Sequence, residues 1–118
     1  MNEKEVKHTA GRILGLIAKA KEYSNPYNAG ALFTISEELM GLLVFLVKPL
    51  MDIETAYRKE VLELMRQDKS VAGAEAEAKA GQNYADWKSL QRVYDQASEQ
   101  IKLTKKFAGL LSDELKRI

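Results

Sequence analysis

The stretch that decides the fold is Asn83–Ile118, which reads NYADWKSLQRVYDQASEQIKLTKKFAGLLSDELKRI. Positions spaced alternately four and three residues apart are apolar or aromatic throughout, except at two places. They are Asn83, Trp87, Leu90, Tyr94, Ala97, Ile101, Thr104, Ala108, Leu111, Leu115 and Ile118. A repeat of about 3.5 residues kept over several heptads is typical of a coiled coil or a long bundle helix. The pattern predicts a helix whose seam packs on other helices through Trp87, Leu90, Tyr94, Ile101, Leu111 and Leu115.

This helix extends further towards the N-terminus, because residues 71–118 contain no proline and the same spacing continues through Ala80 and Ala76. Gly73 and Gly81 each weaken the alanine-rich part by about 1 kcal/mol relative to alanine. One helix over residues 71–117 is the prediction, and a break near Gly81 is the alternative left open. The small side chains at Ala76 and Ala80 would let a second copy of the chain pack closely.

Three shorter helices are predicted before this one, at about residues 3–22, 30–47 and 50–68. The turn formers Ser24-Asn25-Pro26 separate the first two. Pro49 disfavours helix at Lys48, so the chain kinks there or stops and restarts. The first helix has an apolar face with spacings of three and four, formed by Val6, Ala10, Ile13, Leu14 and Ile17. Its Gly11 and Gly15 are spaced so that another helix can approach closely. The predicted fold is all-α: one domain over residues 1–118, a bundle of four or five helices that is oligomeric through helix packing.

The composition fits one compact soluble domain, since the chain has 118 residues of which 46% are hydrophobic and 30% charged. It has no cysteine, which excludes disulfide scaffolds and thiolate chemistry. The most apolar stretch, LMGLLVFLV from Leu39 to Val47, covers about 13 Å as a helix, against about 30 Å for a bilayer core. We expect a buried core helix, no membrane and a cytoplasmic protein; membrane association is the alternative.

Residues suited to catalysis or to metal binding are scarce. His8 is the only histidine, and no Glu-x-x-His pair or glycine-rich phosphate loop occurs. As a general base His8 would also need an orienting carboxylate, and the nearby Glu3 and Glu5 are expected in a frayed first turn. We expect no enzyme activity, no catalytic residues, no metal ligands and no cofactor.

Charge is distributed unevenly although the net charge is +1. Residues 1–21 and 101–118 each carry five basic and two acidic side chains. Residues 22–68 instead carry four basic and eight acidic side chains. If the first and last helices pack side by side, their basic residues would form a surface for phosphates. These candidate ligand-binding residues are Lys4, His8, Arg12, Lys19, Lys102, Lys105 and Lys106. The alternative is that the lysines only keep exposed faces soluble.

The segment after residue 69 has a family resemblance. Ser70–Ala76 (SVAGAEA), Tyr84–Lys88 (YADWK) and Ile101-Lys102 together resemble short helical proteins of phage early regions, which are often encoded near recombination genes. The resemblance covers about the last fifty residues. It implies a small, non-enzymatic accessory protein that acts on host machinery or nucleic acid, and it assigns no functional residues.

The sequence therefore predicts a non-enzymatic helical interaction protein, oligomeric, that binds or sequesters a protein or a small anionic ligand of nucleotide type. A phage-type inhibitor of host defence is one version of this function. The alternative is an accessory protein that binds nucleic acid through its basic N- and C-terminal helices.

Overall fold

A computed structural model describes residues 2–23, 28–67 and 69–116, including all their side chains except those of residues 29 and 111–115. Over these ranges the chain forms four helices and no strand. They are α1 (Glu3–Glu22), α2 (Ala29–Arg66), α3 (Val71–Lys79) and α4 (Gln82–Lys116). The all-α prediction is confirmed, and four helices agree with the predicted number. The turn predicted at Ser24-Asn25-Pro26 lies outside the described residues.

Helix α1 has the bounds predicted from its periodicity, and Asn2 caps its N-terminus. The Oδ1 atom of Asn2 accepts a hydrogen bond from the backbone N–H of Glu5 at 2.8 Å, and its Nδ2 donates to Glu5 Oε1 at 3.2 Å. The cap satisfies one of the N–H groups that the first turn leaves without a partner. The buried face consists of Thr9, Ile13, Ile17 and Ala20. Leu14, expected on the apolar face, is 44% exposed.

Helix α2 runs through Pro49, where a kink or a stop was predicted. Residues 30–47 and 50–68 were expected to form two helices, but the structure has one helix, with Pro49 buried inside it. Proline removes only one intrahelical hydrogen bond, the one to the carbonyl of Phe45, and interior prolines cost about 3 kcal/mol. Apolar residues bury on both sides of it, with Leu46 fully buried and Tyr57 only 7% exposed. This burial offsets the cost, so the helix continues.

The chain breaks between α3 and α4 at Ala80-Gly81, which is the alternative that the sequence left open. Helix α3 is capped at its N-terminus by Ser70, whose Oγ accepts a hydrogen bond from the backbone N–H of Gly73 at 3.1 Å. At its other end, the N–H groups of Ala80 and Gly81 bond carbonyls three residues back, at 3.1 and 3.0 Å. These tight turns end α3, so residues 71–117 do not form a single helix.

Contacts group the chain into two compact units. Unit 1 comprises Met1–Leu46 and Val93–Ile118, and unit 2 comprises Val47–Arg92. The largest fully buried side chains are Ile13, Leu32, Leu39 and Leu46, all in unit 1. In unit 2 the buried residues of the core are Tyr57, Ala74, Ala78 and Leu90. A single domain over residues 1–118 and an oligomeric state stay predictions.

Candidate interaction surfaces

Helix α2 carries a row of exposed apolar side chains opposite its buried face. Leu32, Ile35, Leu39 and Leu46 are at most 5% exposed, as befits a core face. The row, which we call the α2 stripe, has exposed fractions between 44% and 71% and consists of Phe33, Met40, Val44, Val47 and Met51. At about 100° per residue these positions share one side of the helix. Exposed apolar groups that follow one another in this way mark interaction sites.

The stripe corrects the expectation of a buried core helix at Leu39–Val47, because only one side of that segment is covered. Val44 is 71% exposed and Phe45 is 58% exposed. The signal was present in the sequence: the apolar run is continuous, so it surrounds the helix, whereas an amphipathic helix leaves polar residues opposite its core.

Gly30–Arg66 is also long and apolar enough to cross a membrane by length and composition, and it alone passes that test among the described residues. Of its most apolar 18-residue window, 39% is buried inside the protein. The core helix of a globular protein passes the same test.

The surroundings of the α2 stripe are acidic at one end and of mixed charge at the other. Glu37 and Glu38 are exposed between Phe33 and Met40, whereas Lys48 and Asp52 are both exposed after Val47. A Cβ added at Gly41, also exposed, would meet nothing within 4 Å. The backbone there is therefore open to close approach from outside.

The backbone at Gly11 and Gly15 in α1 is likewise open to close approach from outside. They are exposed, and a Cβ added at either would meet nothing within 4 Å. The close helix approach predicted for this pair is therefore not made by the part of the chain that the structure describes.

The seven predicted ligand-binding residues are all exposed and all belong to unit 1. Lys102 Nζ lies 3.5 Å from Glu99 Oε1. Buried Gln100 and Thr104 are each two residues from Lys102, about 200° away around the helix, so Lys102 points away from the packing face of α4. Within the described ranges, no ion pair or hydrogen bond links the α1 set to the α4 set. A joined basic surface stays a prediction.

The predicted seam of α4 lies on its packing face. Leu90 is buried, whereas Trp87, Tyr94 and Ile101 are half-buried; the side chains of Leu111 and Leu115 lie outside the described residues. Among the described side chains of α4 the buried ones are Leu90, Ala97, Gln100 and Thr104, and all of them but Gln100 belong to the predicted line. Val93 and Phe107, which flank that line, are half-buried, so the covered face of α4 is wider than the line. Burial of polar Gln100 could not be predicted from hydrophobic spacing.

An aromatic cluster joins α2 and α4 within unit 2. The rings of Tyr57 and Trp87 stack with centroids 5.3 Å apart, and Tyr84 lies 5.4 Å from Tyr57 and 6.0 Å from Trp87. The ammonium of Lys88 lies 4.3 Å from the centre of the Trp87 ring. Spacings of this size are those of stabilising aromatic and cation–π pairs.

A hydrogen bond to Glu60 lies next to the aromatic cluster. Asn83 Nδ2 donates a hydrogen bond to Glu60 Oε2 at 3.0 Å, which ties α2 to the start of α4. The indole Nε1 of Trp87 is buried and has no hydrogen-bond partner among the described residues. Within those same residues, no group of three or more histidine, cysteine, aspartate or glutamate side chains could hold a metal ion. The contacts of this region are packing contacts between helices.

Comparisons of the chain with models of known protein families, with curated proteins and with solved structures find no significant match.

Proposed function

We propose that the chain is a non-enzymatic interaction protein of the cytoplasm that works as a homo-oligomer and binds or sequesters another protein. The observation that carries this proposal is the exposed α2 stripe. Its side chains are the type that a folded protein removes from water when it can. Covering the exposed part of each stripe side chain would contribute about 1 kcal/mol to binding, or about 5 kcal/mol for the five, and the apolar surface of the partner adds a comparable amount. The resemblance to phage early-region proteins supports one version of this function, in which the bound protein belongs to host defence.

The oligomer is tested by sedimentation velocity of the purified chain over a range of micromolar concentrations. We expect a sedimentation coefficient that rises with concentration, because association exchanges monomer for oligomer by mass action. A monomer at every concentration would contradict the oligomeric part of the proposal.

The partner is tested by placing a photo-crosslinking amino acid at Val44, which is 71% exposed, in cells that express the chain. A matched position is Lys59, which is exposed on the same helix outside the stripe. We expect discrete protein adducts from position 44 and few from position 59. Equal adduct patterns from both positions would contradict binding through the stripe.

A second candidate function is binding of an anionic nucleotide-type ligand or of nucleic acid by the basic residues. The observation that favours it is that all seven are exposed, and in the described part of the chain Lys102 alone of them forms an ion pair. Phosphate contacts need such accessible cations, and they weaken with salt.

The test is a thermal shift with single-stranded DNA, with cyclic dinucleotides and with buffer. We expect one ligand class to raise the melting temperature, and Arg12→Glu/Lys105→Glu to abolish the rise. The control Lys59→Glu/Lys79→Glu makes the same charge change at exposed positions of unit 2 and should keep the rise. Identical melting curves in all three conditions would contradict this function.

A further inference from the structure

We propose that the α2 stripe is the contact between two copies of this chain, with the α2 helices antiparallel and related by a two-fold axis near residue 42. This inference rests on the proposed oligomeric function and assigns its surface, orientation and register, so that another protein would bind the stripe in competition with the second copy. Three observations on α2 carry it: the spacing of the stripe, the opening at Gly41 and the placement of charge.

The spacing of the stripe is that of a two-helix contact. Phe33, Met40, Val44, Val47 and Met51 follow one another at intervals of seven, four, three and four residues, and Glu37 occupies the position that completes the repeat. Two helices whose apolar residues alternate in this way interlock along a common line. All five side chains are at least 44% exposed, so nothing in the described part of the chain covers that line.

The spacing of the stripe, which is symmetric about residue 42, gives the contact a register. With the axis at residue 42, Phe33 of one copy lies opposite Met51 of the other, and Met40 lies opposite Val44. Val44, 71% exposed, would then pack on Met40 beside the open space at Gly41, where a Cβ meets nothing within 4 Å. Because a two-fold contact is self-complementary, the same fit occurs twice.

The charges give the contact its orientation. In the same antiparallel register, Glu37 of one copy lies one residue, about 1.5 Å along the axis, from Lys48 of the second copy, again twice. A parallel pair in register would instead place the two Glu37 carboxylates together in the contact, and like charges that face each other are destabilising. Both side chains are exposed, so they are available for these pairs.

The same charges argue against a membrane surface as the binding partner of the α2 stripe. Helices that lie in the membrane interface carry lysine and arginine beside the apolar face, where they meet anionic headgroups. Here Glu37 and Glu38 stand beside the stripe, and Lys48 is its single neighbouring cation between residues 33 and 51. One helix pair is smaller than a standard interface, so we expect a micromolar dissociation constant.

The first test uses sedimentation equilibrium of the full chain and charge variants. Lys48→Glu and Glu37→Lys should each raise the dimer dissociation constant by about tenfold, and the double exchange should restore it. Lys79→Glu makes the same charge change on α3 and should leave the constant unchanged. Val44→Glu should abolish the dimer, with circular dichroism showing that the helices remain. A dimer that survives Val44→Glu would overturn this inference and leave the proposed oligomer standing, whereas a monomeric parent chain would overturn both.

The second test uses the absence of cysteine in the chain, since a single introduced thiol reports only on the dimer. In the proposed register, two copies of position 44 lie about 6 Å apart along the helix axis and two copies of position 33 lie about 27 Å apart. Val44→Cys should therefore form a disulfide-linked dimer under mild oxidation, and Phe33→Cys should not. Linking by both variants would overturn the antiparallel orientation.

A third test measures binding to vesicles of phosphatidylcholine and phosphatidylserine, which should not retain the chain. If the vesicles retain the parent chain and Val44→Glu abolishes this retention, the stripe binds lipid and not a second copy.

Discussion

The two compact units have different cores. Unit 1 buries aliphatic side chains completely, with Ile13, Leu39 and Leu46 at 0% exposure. Among the described hydrophobic core residues of unit 2, those at 0% exposure are alanines, Ala74 and Ala78. Its larger core residues are Leu90 and an aromatic cluster, and two of the three clustered rings are only half-buried.

This difference indicates that unit 1 contributes more than unit 2 to the free energy of folding. Removing apolar area from water contributes about 25 cal/mol per Å², so fully buried leucines contribute much more than alanines. Aromatic pairs add about 0.5–1.5 kcal/mol beyond their area. Helix α3 has only nine residues and cannot be stable alone. We infer that unit 1 has the higher local stability and that unit 2 opens first.

The largest expected effect is that of Leu39→Ala in the core of unit 1. It removes buried methyl groups and leaves a cavity, so it should lower the free energy of unfolding by about 4 kcal/mol. The control Met40→Ala lies one residue away at 46% exposure and should cost well under half as much. Chemical denaturation followed by circular dichroism measures both. Equal losses would contradict the assignment of the two faces of α2.

A smaller effect is expected from Trp87→Ala in the aromatic cluster. Loss of the stacked ring should cost about 2–3 kcal/mol, less than a fully buried aromatic residue, because Trp87 is half-buried. Trp87→Phe keeps a ring and removes an indole N–H that is buried without a partner, so it should cost under about 1 kcal/mol. Urea denaturation followed by circular dichroism compares them. A loss for Trp87→Phe as large as for Trp87→Ala would show that the indole nitrogen has a bonding role.

Two optical probes should separate the units in the parent chain. Trp87 is the only tryptophan, so its fluorescence reports on unit 2, while circular dichroism reports on all four helices. We expect the fluorescence transition at lower denaturant concentration, with free energies that differ by about 1 kcal/mol. Coincident transitions would mean that the chain unfolds as one cooperative domain.

The smallest effects are expected at two glycines, with opposite signs. Gly15→Ala should raise the free energy of unfolding by up to about 1 kcal/mol, since the new methyl group meets nothing and alanine favours helix. At Gly81 a Cβ would lie 3.0 Å from Glu60 Oε1 and 3.2 Å from the Ala78 carbonyl oxygen. Gly81→Ala should therefore lower the free energy by about 0.5–1 kcal/mol. Thermal unfolding distinguishes them, and a stabilised Gly81→Ala would show that the break between α3 and α4 is loosely packed.

Periodicity was sufficient to predict the fold class and the bounds of α1. It was not sufficient at Pro49, because local sterics favour a break there while burial on both sides, which no local rule measures, favours helix. The exposure of Lys4 and Lys106 follows from their charge alone. Which face of α2 stays uncovered depends on how many helices surround it, and a uniformly apolar segment does not encode that number. The break near Gly81 was one of two outcomes that the sequence left open, because a glycine costs a helix only about 1 kcal/mol and so permits either.

Pro49 also affects the exchange of backbone amides with solvent deuterium. Because proline has no N–H, the bond to the Phe45 carbonyl is missing near the point where unit 1 gives way to unit 2, between Leu46 and Val47. Amides of α2 before this point should exchange at the rate at which unit 1 opens, and those after it at the faster rate of unit 2. One continuous helix of 38 residues would then show two protection levels, and the step between them would lie within about one turn of the proline.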